Sequence, residues 1–303
     1  MITEQPCGFV LIDKPMGYTS HDVVARVRRI LHTRRVGHAG TLDPSATGVL
    51  VIGVGRATRL LGQVAGGDKT YEATFRLGES TTTDDAEGET LALHDASGVT
   101  ADALAKAIVG LTGEFAQRPS AVSAIKVNGR RAYDRVRSGE DVVLAARTVR
   151  ISEFTVLDFR PADAEVTVRV TCSSGTYIRA LARDVGETLG VGAHVRSLRR
   201  TAIGSVTVAD CVTLDEFAAD PRVAAIADAG AAWFASVVVS HEAAGALSHG
   251  RTCPAPPGFE AASTLVLNPA GDAICYAGLE HGMLHPTAVF VAPDAPSRED
   301  ITP

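Results

Sequence analysis

The chain has 303 residues, 46% hydrophobic and 21% charged, with a mean hydropathy of +0.12: enough for one large domain or for a main domain with a small satellite, and too apolar for extensive disorder. No apolar stretch approaches the ~18 residues of a membrane span, the opening MITEQPCGFV lacks a signal-peptide pattern, and five scattered cysteines show no CxxC spacing. Membrane, secreted and structural-zinc readings are therefore disfavoured and a cytoplasmic protein is expected, while a net charge of −6 would normally count against a nucleic-acid partner.

In chain order, Gly8–Lys14 reads as a strand and Pro15-Met16-Gly17 as the turn out of it. Ser20 is placed to cap a helix in which Val23, Val24, Val27, Ile30 and Leu31 form an apolar stripe, with Arg26, Arg28 and Arg29 outward. Residues 49–54 (VLVIGV) read as a buried strand, and Lys69–Leu77 alternates, with Tyr71, Ala73, Phe75 and Leu77 on one face. Residues 81–89 (TTTDDAEGE) read as a polar loop, and Thr100 caps a helix through Leu104, Ile108 and Leu111. Residues 118–147, rich in Arg, Ser and Gly, read as an excursion from the core.

Strands over 148–159 and 164–172 follow, then Ser173-Ser174-Gly175 and a helix over 177–189 closed by Gly190. Thr213-Leu214-Asp215-Glu216 is a capping box before another short helix. Past an Ala-rich stretch, short apolar runs at 264–267, 273–276 and 287–291 point to a small β module. Strands and helices interleave without regular βαβ spacing, which predicts a mixed-sheet α/β or α+β core.

The average charge conceals a division. Residues 201–303 hold 12 acidic side chains against three arginines, whereas residues 1–200 hold 26 basic and 23 acidic ones. The basic residues of that half gather in three groups: Arg26 to Arg35, Lys126 to Arg137, and Arg196, Arg199 and Arg200. Three such clusters in one half reopen the case for RNA or DNA binding.

The densest segment is 37–48, GHAGTLDPSATG, where three glycines and a proline surround one carboxylate beside His38. An isolated Asp-Pro ordinarily marks a turn or a helix start. The glycine density here points instead to a backbone that admits a ligand closely. A carboxylate that works in a desolvated site needs a counter-charge, and Arg179, expected on a helix face away from the buried stripe, could provide one. No GxGxxG, Walker, HExxH or GxSxG pattern occurs, so nucleotide, HExxH-type metal and serine-hydrolase chemistries have no motif to stand on.

The segments LIDKPMGYTSHDVV, RRVGHAGTLDPSATGVLVIGVGRATRL, KTYEATFRLG, PSAVSAIKVNGRRAYDRVRSG, CSSGTYIRALARDVGETLGVGAHVRSLRRT and TLDEF run in order across residues 11–217. In them the chain resembles the TruB-type tRNA pseudouridine-55 synthases of bacteria. The resemblance implies a pseudouridine synthase fold of the α/β (α+β) class, with a mixed, largely antiparallel central sheet flanked by helices over residues 1–235. It implies a tRNA-clamping insertion at about 118–147 and, more loosely, a small PUA-like β module over 236–303.

The activity it implies is an isomerisation without cofactor or metal. The C1′–N1 bond of uridine-55 in the tRNA T stem-loop breaks, the base rotates, and it rejoins through carbon 5. By the same resemblance Asp43 is the nucleophile, toward base or ribose. Tyr71 stacks on the base and accepts a proton, and Arg179 pairs with Asp43. His38 helps draw the nucleotide out, Tyr177 and Leu198 line the pocket, and Lys14 and Pro15 support the catalytic loop. Lys126, Arg130 and Arg131 are expected to grip phosphates, as are the helix 20–32 and Arg196 to Arg200. The partner expected is tRNA alone, met by a monomer with no guide RNA and no membrane. A tRNA-folding chaperone and a guide-dependent subunit are the competing readings.

Overall fold

The computed structural model describes residues 6–120, 126–127, 130–131 and 144–291. The chain forms two compact units that alternate along the sequence: residues 1–44, 49–65 and 204–303 make the first, and 45–48 and 66–203 the second.

In the first unit Gly8–Lys14 is a strand, as its pattern predicts, and hydrogen-bonds to the strand Thr47–Val54, which carries Val36–His38 antiparallel beside it. The helix Ser20–Ile30 buries Val23, Val24 and Val27 in a core with Val10, Ile12, Leu50, Ile52, Val54, Leu214 and Phe217. Each such side chain contributes about 1.5–3 kcal/mol on burial, so the stripe holds the helix in place. The cap lies one residue before the expected Ser20. Thr19 Oγ accepts the Asp22 N–H at 3.0 Å and the Asp22 carboxylate accepts the Thr19 N–H at 2.9 Å. Ser20 is thereby released for another task.

The C-terminal part of this unit is a five-stranded sheet in the order Ser236–Val238, Ser263–Leu267, Ala273–Glu280, Met283–Val289, Cys253–Pro254. Its own core includes Leu247, Val266, Cys275, Ala277 and Leu284. The three apolar runs seen in the sequence are three of these strands; Ser236–Val238, in the Ala-rich stretch, has no such signal.

The second unit is built on a sheet ordered Ala193–Ile203, Lys69–Leu77, Glu165–Cys172, Arg147–Arg160, Gly113–Gln117, each pair antiparallel. Thr47 and Gly48 add a parallel pairing to Arg199 and Arg200, which makes the sheet mixed. Gly48 sits at φ +102° in this pairing, and a Cβ there would fall 2.1 Å from the Arg200 carbonyl oxygen, so no other residue fits. Lys69–Leu77 buries every second residue, as its alternation predicts. The helices Ala101–Gly110 and Ile178–Leu189 complete the unit; the first is capped by Thr100 and the second ends at Gly190 with φ +74°, both as read from the sequence. Most of the 118–147 excursion lies outside the described residues. Within it, Lys126–Val127 pairs antiparallel with Arg130–Arg131.

Candidate active site

Asp43 is half-buried in the first unit, on a loop fastened on both sides. Leu42, before it, exchanges two hydrogen bonds with Ser20: its N–H donates to Ser20 Oγ at 2.9 Å, and that hydroxyl donates to its carbonyl at 3.2 Å. Pro44, after it, offers a carbonyl that accepts from the Gly17 N–H at 2.9 Å and from Lys14 Nζ at 3.2 Å. Lys14 is fully buried and also donates to the carbonyls of Pro15 and Tyr18, at 2.9 and 2.6 Å. A buried ammonium is tolerable only when its donors are used, and here they hold the turn after Gly8–Lys14 against the loop. The carboxylate is thus carried on a backbone with little freedom, which favours a fixed reacting group. His38, at the end of Val36–His38, meets His21 edge to face at 5.3 Å between ring centroids.

Among the expected residues, the second unit carries Tyr71, Tyr177, Arg179 and Leu198. Tyr71 is 7% exposed and has Val170 and Arg200 as its cross-strand neighbours. Leu198 is opposite Ala73, one pleat along, so it shares the face of Tyr71. On the same face Lys69 donates to the Gly67 carbonyl at 2.6 Å, and burial, with Arg200 nearby, holds its ammonium down to about 8. Arg200 is 1% exposed. This corrects the expectation that Arg196 to Arg200 form one phosphate-tracking surface: alternation along the strand turns Arg200 inward, Arg196 binds Glu165, and Arg199 donates to Thr47 Oγ at 3.2 Å. On helix Ser20–Ile30, too, Arg26 is committed to Asp215 at 2.7 Å and Arg28 to the Val36 carbonyl at 2.7 Å.

Arg179 departs from the position expected of it. It is 6% exposed and not on an open helix face. Its Nη1 donates to the Thr83 carbonyl at 2.9 Å and stands 3.4 Å from the Asp85 carboxylate. One turn on, Arg183 meets Asp84 at 3.3 Å and Asp184 at 2.7 Å. Asp85 also accepts from the Thr83 hydroxyl and the Glu87 N–H, so its charge is fully engaged. Burial pushes the Asp84 carboxyl above its usual range, opposed by Arg183. The 81–89 segment, read as a polar loop, is therefore the acidic seat of two helix arginines. The signal that could have found it is the pair Asp84-Asp85 set against Arg179 and Arg183, adjacent residues against an i, i+4 pair.

Tyr177 is held by its main chain and by its ring. Gln117, 1% exposed, accepts the Tyr177 N–H at 2.9 Å and donates to its carbonyl at 3.1 Å, while Arg147 lies over the ring at 4.7 Å from the centroid. The sequence reading missed both partners. Lys126, Arg130 and Arg131 have side chains outside the described residues. Among the described residues no group of three or more His, Cys, Asp and Glu side chains gathers to hold a metal ion, and no helix is long and apolar enough to cross a membrane.

The family model for the N-terminal domain of TruB family pseudouridylate synthases matches residues 28–178, and that for the tRNA pseudouridylate synthase B C-terminal domain matches 179–230. A tRNA pseudouridine synthase B of Arthrobacter sp. (strain FB24) is 51% identical across 96% of this chain and 98% of its own length. The chain belongs to the TruB family. A second TruB relative, from Thermobifida fusca (strain YX), is 52% identical over 93% of this chain and 98% of its own. Among solved structures, a chain of a Cbf5-Nop10-Gar1 complex superposes with a TM-score of 0.73 at 25% identity, over 95% of this chain and 86% of that one. A chain of an archaeal box H/ACA sRNP Nop10-Cbf5 complex gives 0.69 at 23% identity, covering 96% of this chain and 88% of its own, a likeness of fold. The expected α/β class with a mixed sheet and a C-terminal sheet module is thus borne out, and so is the family.

Proposed function

We propose that the chain is a tRNA pseudouridine synthase that isomerises uridine-55 of the T loop, with Asp43 as its nucleophile. The observation that carries this reading is the Asp43 loop, a carboxylate on a backbone tied through both neighbouring residues, in a chain whose relatives named tRNA pseudouridine synthase B match it nearly end to end. Uridine inside a folded T loop cannot reach such a carboxylate, so it must be flipped out at a cost of a few kcal/mol. Stacking on Tyr71 returns about 1–3 kcal/mol of that. Asp43 then attacks base or ribose and the C1′–N1 bond breaks. The base turns, C1′ bonds to carbon 5 as the bond to Asp43 is released, Tyr71 takes the proton that carbon 5 gives up, and N1 gains a proton in its place. Arg179 supplies a fixed positive charge, His38 assists extrusion, and Tyr177 and Leu198 bound the base.

In this reading Lys126, Arg130 and Arg131 of the 118–147 insertion grip tRNA phosphates. The catalytic body runs to about residue 235, and a PUA-like module opens with Ser236–Val238. The enzyme acts as a cytoplasmic monomer without guide RNA, and the same base flipping lets it serve as a tRNA-folding chaperone. The test is to incubate purified protein with unmodified tRNA transcript and map pseudouridine by carbodiimide-primer extension. A single stop reporting position 55 is expected. Pseudouridine elsewhere, or none, removes the proposal.

A further inference from the structure

Arg147 opens the strand Arg147–Arg160, with its Cα opposite that of Gln117. Its guanidinium lies over the Tyr177 ring, 4.7 Å from the centroid. Gln117 fixes the Tyr177 backbone through both its N–H and its carbonyl, so the aromatic platform beneath the guanidinium cannot drift. Two of the guanidinium nitrogens, Nε and Nη2, are buried and find no hydrogen-bond acceptor among the described residues. The residue as a whole is half-buried, so part of it remains open to solvent.

This is an expensive arrangement for packing alone. A neutral side chain would cover the ring without stranding charged donors, and buried polar groups in folded proteins almost always have partners. The guanidinium fork matches the oxygens of a phosphodiester, and stacking on an aromatic ring holds that fork flat and pre-organised. By contrast, the other arginines of this helix and sheet have acceptors: Arg179 has Asp85, Arg183 has Asp84 and Asp184, Arg196 has Glu165, and Arg150 has Asp68. Gly175 borders the same guanidinium: a Cβ there would lie in ordinary contact with Arg147 Nη1, at 3.6 Å.

We propose that Arg147, seated on Tyr177, is a further substrate-binding residue whose guanidinium, on the side left open to solvent, receives a phosphodiester oxygen of the RNA. The proposal deepens the tRNA reading and rests on it. Removing one interaction with a phosphate should lower the slope of log affinity against log salt by roughly 0.7–0.9.

The experiment titrates wild type, Arg147→Met and Arg147→Lys with fluorescent unmodified tRNA transcript at several salt concentrations, with thermal melting and turnover at saturating tRNA in parallel. Arg147→Met should bind about 10-fold or more weakly, with the slope reduced by about one, an unchanged melting temperature, and turnover at saturation within a few fold. Arg147→Lys should recover most of the slope, because the charge survives, but only part of the affinity, because the fork does not. An unchanged slope overturns the proposal whatever happens to affinity, because the guanidinium would then only be packing. If Arg147→Met fails to fold, Arg147→Lys decides: wild-type affinity in it contradicts the need for the fork. Wild-type protein that neither binds nor modifies tRNA would sink the underlying reading, a failure visible before any variant is compared.

Discussion

The loops 37–48 and 81–89 are both short, polar and dense in turn-forming residues, yet they are stabilised in opposite ways. The first is held through its main chain: Ser20, Gly17 and Lys14 bind the peptide groups on either side of Asp43. The second is held by its own acidic side chains, Asp85 against Arg179 and Asp84 against Arg183. A reactive group is best positioned through its backbone, because its charge and bonding change during the reaction. A supporting group is best positioned through its charge, because the charge is then permanently neutralised in a buried place.

That contrast can be broken at several points. The largest effect short of Asp43 itself is expected at Tyr71. Tyr71→Phe keeps the ring and loses the hydroxyl, so tRNA binding should persist while turnover falls about 100-fold or more, measured as single-turnover pseudouridine formation. Wild-type rates would make Tyr71 a packing residue. Next comes the acidic seat. Asp85→Asn deprives the buried Arg179 of the Asp85 charge, which should cost about 3 kcal/mol in denaturant unfolding and reduce turnover by about 10- to 100-fold. Asp84→Asn should cost clearly less, because Arg183 retains Asp184. Equal losses in the two variants would mean that the loop acts only as a structural unit.

Smaller effects are expected where the backbone supports are trimmed. Ser20→Ala removes two hydrogen bonds to Leu42 without touching a charge; it should destabilise by about 1–2 kcal/mol and slow turnover a few fold with affinity unchanged. The smallest concerns stability alone. Lys69 titrates at about 8 in the folded chain against 10.5 as a free group, so between those values the unfolded chain binds more protons. Stability should therefore rise with pH across that window, by about 1–3 kcal/mol, and be flat with respect to this group below it. Denaturant melts of wild type and Lys69→Met from pH 7 to 10 would isolate the rise, which the variant should lack.

The two loops also mark what could be read from the residues. The backbone of GHAGTLDPSATG is legible because it is carried by local composition: glycines and a proline specify the loop, and one Asp stands in their midst. The same holds for Lys69–Leu77, for the Gly190 stop and for the C-terminal strands, whose patterns lie within a few residues. The role of 81–89 is set by partners 94 and 99 residues away, Arg179 from Asp85 and Arg183 from Asp84, and no local pattern reports it. Ser20 misled for a related reason. It is a good capping residue, but Thr19 with Asp22 makes the better box and leaves the serine to the Asp43 loop. Arg200 looked like part of a basic surface because a run of arginines hides the alternation of the strand that carries it.

The most direct test compares wild type with Asp43→Asn on the same unmodified tRNA, measuring pseudouridine formation and tRNA affinity together. The change is nearly isosteric and leaves the hydrogen bonds of Leu42 and Pro44 in place. The account predicts that turnover is abolished, a loss of at least about 1000-fold, while affinity stays within a few fold, because one carboxylate carries the chemistry and arginines carry the binding. Appreciable isomerisation by clean Asp43→Asn protein would contradict it.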